Sequence, residues 1–439
     1  MTSTFAPAPP NAQQLKAATG ATYAVFAGLG VMASTWASRI PQVRVHLHLN
    51  PSQLGLLLAT IAIGAVIAPP LSGPIVARAG SRTSVAAMAA LMATGLAIVS
   101  IGYLVGVPLL AAGLFLLGFS TGFWDVAMNV QAAVVEQHLG YSIMSRFHAG
   151  FSLGTVAGAL VGTLMVALHA PVSMHLAVAA AVVTIAVLVA ARRFVPDHGG
   201  QDHAAGPAAD SPRRSALAPW LEPRTLLIGL VALAFAFAEG AGNDWISVSV
   251  IDHHHAVAAI GTLIFAVFLA AMTAGRWFGP ALLDRWGRVA LLYLTAGLAI
   301  AGLALFVFGP GTGLAIAGAL LWGLGTSLGF PVAISAGADQ PAFAAGRVSV
   351  VTSIGYCAFL GGPPLIGFLG NRFTVTRALL VVIVLIAVAA AVGRATRPLG
   401  LTNRDAGASS QGKQIPLETQ EESECPPPAP APPLSPPPQ

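Results

Sequence analysis

Twelve stretches of roughly 20 apolar residues, parted by short polar breaks, constrain this chain more than any other feature of its sequence. A helix of about 20 apolar residues spans a hydrocarbon core of about 30 Å while bonding its backbone groups internally. The runs fall at about 19–38, 53–77, 83–104, 108–130, 147–168 and 172–191, then at about 225–250, 257–283, 289–309, 313–335, 348–369 and 377–392. Only 8% of the 439 residues are charged and the mean hydropathy is +0.77, whereas soluble domains carry about 25% charge. The expected fold is all-α and integral to a lipid bilayer, with twelve transmembrane helices.

Between the sixth and seventh runs the composition turns to charges, His, Gly and Pro, with Arg192, Arg193, Arg213 and Arg214 bracketing Asp197, Asp202 and Asp210. The predicted organisation is a disordered tail over 1–18, a six-helix bundle over 19–193, a linker over 194–223, a second six-helix bundle over 224–396 and a disordered Pro-rich tail over 397–439. An even number of spans puts both termini on one side. Of the 21 Lys and Arg, 16 fall on that side and four opposite, with Arg276 inside a span. Basic loops stay cytoplasmic, so both termini are expected in the cytoplasm. The same scatter of basic residues removes the nucleic-acid reading that a net charge of +5 invites. Two cysteines, Cys357 in an apolar run and Cys425 in the tail, suggest no disulfide framework. Abundant Ala and Arg with few Lys suggest a bacterial source.

The two bundles read as copies of one plan. Leu117-Gly-Phe-Ser-Thr-Gly-Phe123 is echoed 207 residues later by Leu324-Gly-Thr-Ser-Leu-Gly-Phe330, and Arg78-Ala-Gly-Ser-Arg82 by Arg285-Trp-Gly-Arg-Val289. Arg146 and Gly154 pair with Arg347 and Gly355 at an offset of 201. The polar residues are not copied: on this register Asp125 meets Val332 and Asn129 meets Ala336. Tight loops between spans call for glycine at Gly80 and Gly287. Glycine at 150, 154, 158 and 162 makes a four-residue ridge that lets a neighbouring helix approach closely, for sliding or for static packing.

Gly73-Pro-Ile-Val-Ala-Arg-Ala-Gly-Ser-Arg82 and Gly279-Pro-Ala-Leu-Leu-Asp-Arg-Trp-Gly-Arg288 resemble the loop motif G-x-x-x-D-R-x-G-R-[RK] of the major facilitator superfamily. The second copy keeps Asp284, Arg285, Gly287 and Arg288; the first keeps Gly73, Arg78, Gly80 and Arg82 but has Ala77 in place of the acid. The resemblance implies two pseudo-repeated six-helix bundles, transport rather than enzyme chemistry, no cofactor, and a loop whose Asp and Arg hold the cytoplasmic end shut. It also implies that spans one, four, seven and ten line a central cavity. That places Trp36, Asp125, Asn129, Glu239, Asn243 and Trp245 where a solute and a coupling ion bind.

The intramembrane acids also stand out without the resemblance, since a central Asp costs about 2.5–3.5 kcal/mol even on the gentlest scale. Asn243 shares a helix face with Glu239, whereas Asp244 is rotated away and is read either as cavity-lining or as close to the outer interface. Glu136, Arg146 and His148 flank the loop between spans four and five, as an inner gate or as a solvated cluster. Arg276 either snorkels or pairs with Asp284. Gly28-Leu-Gly-Val-Met-Ala33 imitates a dinucleotide motif inside a spanning helix and is read as packing. His253, His254 and His255 are read as an outer loop, since consecutive helical residues diverge by about 100°.

The function expected is secondary active transport of a small polar solute by alternating access, coupled to protons, by a functional monomer in the bacterial cytoplasmic membrane. A drug or metabolite exporter is the first alternative, which the resemblance disfavours because antiporters of that superfamily often carry a Gly-Pro motif in the fifth span and this chain lacks it there. A transport-silent sensor acting through the Pro-rich tail is the second.

Overall fold

The computed structural model describes residues 10–141, 143–197 and 218–399. The expected Pro-rich tail from 400 onward and most of the expected linker, 198–217, lie outside the described residues. The helices are α1 (Ala12–Ala37), α2 (Ile40–His46), α3 (Pro51–Val105), α4 (Val107–Leu139), α5 (Met144–Ala167), α6 (Val172–Ala191), α7 (Pro223–His254), α8 (Ala258–Phe308), α9 (Gly311–Thr326), α10 (Gly329–Gly337), α11 (Pro341–Arg372), α12 (Val375–Ala378) and α13 (Leu380–Ala391).

Among the described residues nine helical stretches are long and apolar enough to span a membrane. Two of them are double. The 55-residue α3 turns back at Gly80 (φ 80°, ψ 157°) and the 51-residue α8 at Gly287 (φ 76°, ψ 167°). Those dihedrals belong to a region that essentially only glycine enters, which is why each loop carries one. The shorter apolar stretch Val375–Ala391 supplies the last span, and with the two turns counted the total is twelve. The tenth span is broken where α9 gives way to α10 around Ser327 and Leu328.

The chain departs from the expected tail and linker at their edges. Helix α1 begins at Ala12, inside the stretch expected to be unfolded, because Asn11 accepts a hydrogen bond from the Gln14 amide while the Gln14 side chain accepts one from the Asn11 amide. The first linker residues pack instead of trailing: Phe194 and Val195 are buried, and Asp197 accepts from the Ser81 N–H at 2.6 Å, capping the helical limb that follows Gly80.

Glycine ridges set the helix spacing. Added Cβ atoms on Gly154 and Gly158 would meet the backbone of α1 at Ala27 and Val31, so the 150–162 ridge is static packing within the first bundle. Gly28 and Gly30 lie against α6 and α5, as expected of small-residue packing. The same contacts fix the register of the repeat. Gly95 crosses Gly113 in the first bundle as Gly302 crosses Gly318 in the second, and Gly118 lies on the Ile61 carbonyl as Gly323 lies on that of Phe268. Relative to α3, α8 is offset by 207 residues, but α9 is offset from α4 by 205. The sequence match of Gly118 with Gly325 is therefore two residues out of register, because glycine-rich runs match themselves at several shifts. With the register corrected, Asp125 corresponds to Phe330 and Asn129 to Ile334, and the acid is still unique to one bundle.

Candidate functional site

A cavity of about 470 Å³ lies between the bundles, walled by α1, α3, α4, α5, α7, α8 and α11. Its lining is mostly aliphatic and aromatic, including Leu29, Ile61, Leu117, Phe151, Phe265, Leu269 and Phe359. Into it project Asp125 from α4, Glu239, Asn243 and Asp244 from α7, Arg276 from α8 and Tyr356 from α11. Three carboxylates thus share an apolar chamber with one guanidinium.

The Arg276 Nη2 donates to Glu239 Oε2 at 2.7 Å, with side-chain exposures of 30% and 18%. Neither reading of Arg276 from sequence holds: it reaches inward across the cavity to α7, and Asp284 is exposed on the loop beyond. Its Nε also donates to the Ser327 carbonyl at 3.4 Å, one of the carbonyls left over where the tenth span breaks.

Asp125 is tied to its own helix. Asn129 Nδ2 donates to the Asp125 carbonyl at 2.8 Å and to Oδ1 at 3.3 Å, and His148 Nε2 lies 3.1 Å from Asn129 Oδ1. With the amide oxygen as acceptor, Nε2 carries the proton. Asp125, Asn129 and His148 form one hydrogen-bonded string from the cavity toward the terminal end, with the imidazole edge-on to Phe26. His148, grouped from sequence with the inner loop, belongs to this string. Glu136, grouped with it, accepts from the Ile143 and Met144 amides at 2.7 Å each and so caps α5. Arg146 is exposed on the first turn of α5.

Not every expected cavity residue lies on the cavity. Trp36 does, 3% exposed and with its indole N–H unpartnered among the described residues. Trp245 is fully buried within the second bundle and absent from the lining, and Asn129 stands one turn below it. Asp244, read as rotated away from Glu239, lines the cavity as well, because the chamber wraps around α7 and meets adjacent positions. The tenth span contributes nothing to the lining, whereas α3, α5, α8 and α11 do.

At the terminal end Arg78, Arg82, Asp284 and Arg285 are exposed. Arg288 is engaged: it donates to Ser335 Oγ at 3.0 Å and pairs with Asp339, which also accepts from Arg224 Nη2 at 2.7 Å. Arg347 grips Glu222 at 2.6 Å and 3.2 Å. Sequence reasoning missed Asp339 and Glu222 because they stand at span ends outside the loop motif, and their arginine partners come from other helices. At the opposite end Arg44 Nη1 and Asp252 Oδ2 join the bundles at 2.5 Å, Ser52 Oγ donates to the Gly367 carbonyl at 3.4 Å, and Gly55 packs against Pro363.

Comparison with known proteins agrees with this architecture. The model of the Major Facilitator Superfamily matches residues 17–359. The chain is 33% identical over 350 residues to an uncharacterized transporter, y4wD, of Sinorhizobium fredii, covering 79% of this chain and 89% of that one. It is 32% identical over 376 residues to an uncharacterized MFS-type transporter of Yersinia pestis, covering 85% and 94%. Among solved structures it resembles a point mutant of the nucleoside transporter NupG, with a TM-score of 0.71 at 15% identity over 88% of this chain and 99% of that one. A bacterial homolog of the human lysosomal transporter Spinster, in an inward-facing and unoccupied conformation, gives 0.70 at 12% identity over 88% and 98%. The outward conformation of FucP gives 0.58 at 16% identity over 87% and 98%. The twelve spans, the repeated bundles and the chamber between them are those of a multi-pass membrane transporter, and the chain belongs to the Major Facilitator Superfamily.

Proposed function

We propose that this chain carries a small polar solute through the central cavity by alternating access, with protons as the coupling ion. The observation that carries the reading is the gathering of Asp125, Glu239, Asp244 and Arg276 in one otherwise apolar chamber of about 470 Å³. Chambers of this size suit small ligands, and a few polar groups in an apolar wall orient them. Protonating a carboxylate there removes a charge whose cost differs between the two access states, which links proton movement to the conformational equilibrium. Glu239 is the coupling candidate, since its proton competes with Arg276 for the carboxylate; Asp125, with Asn129 and His148 behind it, is the second. Asn243, Asp244 and the unpartnered Trp36 indole are left to meet solute. Trp245 supports this arrangement only through packing.

The excess of basic residues on the side of the termini supports a cytoplasmic location for both ends in a bacterial inner membrane. The bundles over 19–193 and 224–396 act as the rocking units of a functional monomer. With that orientation, the Arg44–Asp252 closure lies outside, which supports an inward-open state. The loops at Arg78, Gly80 and Arg82 and at Asp284, Arg285, Gly287 and Arg288, with Arg146, act as the cytoplasmic gate. In an inward-open state that gate is apart, which agrees with the exposure of Asp284 and Arg285.

A second reading has its own support. Three carboxylates outnumber one guanidinium beside Trp36, Phe151, Tyr356 and Phe359, a setting that attracts an organic cation by charge and by ring faces; it corresponds to efflux. One assay separates the two. Proton flux is followed in liposomes holding the purified protein, with a panel of sugars, nucleosides and lipophilic cations, for wild type and Glu239→Gln. Substrate-dependent flux with neutral polar solutes, lost in the variant, is the expected result; a response confined to cations selects efflux. Equal coupled transport by both proteins removes Glu239 from the mechanism.

A further inference from the structure

A second cavity, of about 530 Å³, opens at the end remote from the termini and is distinct from the central chamber. Arg39 lines it, 2% exposed at the junction of α1 and α2. Its Nε donates to His175 Nδ1 at 2.9 Å, so this imidazole is neutral and carries its proton on Nε2. The Arg39 Nη2, the His175 Nε2 and both amide atoms of Gln42 are buried without a hydrogen-bond partner among the described residues. No carboxylate pairs with Arg39 among the described residues; the acid at this end, Asp252, is taken by Arg44. A buried guanidinium facing a neutral ring is costly, and buried charges are normally compensated by an opposite one.

Two helix starts converge on the same cavity. Pro171 and Val172 begin α6, and Val257, Ala258 and Ala259 begin α8; neither start has a side-chain cap. The first N–H groups of a helix lack internal partners and carry partial positive charge, so each start attracts an anion. A buried arginine, an amide and two uncapped helix starts therefore offer donors and positive potential to one space, with the His175 ring behind the arginine. The end of α5, through Val166 and Ala167, and the side chains of Tyr103 and His169 also line it; of the buried side-chain acceptors there, the Gln42 oxygen is the one without a partner among the described residues.

We propose that this cavity is a binding site for an oxyanion, a phosphate or carboxylate group, held by Arg39 and Gln42 and by the starts of α6 and α8. Because α8 belongs to the second bundle and the other elements to the first, the bound group touches both. A free anion and the phosphodiester of a lipid headgroup share this chemistry.

The test uses detergent-solubilised full-length protein, with unfolding temperature followed against inorganic phosphate at constant ionic strength set by chloride. A second arm titrates short-chain phosphatidylglycerol against the matching diacylglycerol, which lacks phosphate. The expected result is a saturable rise in unfolding temperature, with apparent affinity weakened about tenfold or more in Arg39→Gln, a loss of about 1.4 kcal/mol, and weakened in Gln42→Leu, which leaves the arginine in place. Response to inorganic phosphate identifies a free anion; response to phosphatidylglycerol alone, with the same dependence on Gln42, identifies a headgroup. Should Arg39→Gln fail to fold, Gln42→Leu decides between the outcomes. Wild type and Gln42→Leu responding equally to both compounds, or wild type responding to neither, overturns the site.

Discussion

The Glu239–Arg276 pair sets the chemistry of the chamber at the level of single residues. Breaking a hydrogen-bonded charge pair from one side leaves the other charge poorly solvated, at a cost of about 2–5 kcal/mol, and the partial exposure of both groups puts this pair at the low end. Glu239→Gln is expected to lower thermal stability by about 2 kcal/mol. Adding Arg276→Gln is expected to restore most of that without restoring transport, a contrast read from melting curves and proteoliposome flux. If the double variant is no more stable than Glu239→Gln, the pair is not the source of the loss. The sequence made Glu239 conspicuous because an acid within a span is expensive, but its partner lies 37 residues away on the next span. Pairing across helices depends on their rotation, which hydropathy leaves open. The same limit applies to Trp245, whose place on the seventh span suggested the cavity although its side chain turns into the bundle.

Helices approach one another closely here because glycine removes the side chain that would hold them apart. A Cβ at Gly154 would collide with the Ala27 carbonyl, whereas one at Gly73 meets nothing within 4 Å. Gly154→Ala is therefore expected to destabilise by about 1–3 kcal/mol, as overpacking does, while Gly73→Ala stays near neutral or gains; melting of the two variants side by side checks this. A sharper contrast concerns the turns. Gly140 (φ 71°, ψ 10°) closes α4 in the left-handed region that Asn tolerates, but Gly80 (φ 80°, ψ 157°) lies where only glycine is comfortable. Asn is thus expected to be accepted at 140 and to cost about 1–3 kcal/mol at 80; equal melting of Gly140→Asn and Gly80→Asn would contradict that account. Twelve spans and both glycine turns were legible because bilayer thickness and turn geometry act on local sequence. The two-residue error in matching Gly118 to Gly325 arose because small residues recur too densely to fix a register without knowing which carbonyl each one meets.

Across the whole molecule, the bundles are joined more firmly at the end remote from the termini. The Arg44–Asp252 pair there is partly exposed, at 19% and 39%, and such pairs contribute about 0–1 kcal/mol. Asp252→Asn is accordingly expected to raise the population open at that end by no more than about fivefold. The readout is the labelling rate of a cysteine placed at Ala33, in a background without Cys357 and Cys425, by an impermeant maleimide added on that side; an unchanged rate would show that helix packing at Gly55 and Gly367 holds the closure by itself. The elbows at Gly80 and Gly287 also bear on how the chain enters a membrane. With almost no slack between the two limbs in the fold, α3 and α8 are each expected to enter as a hairpin, so that a lesion in one limb strands its partner too.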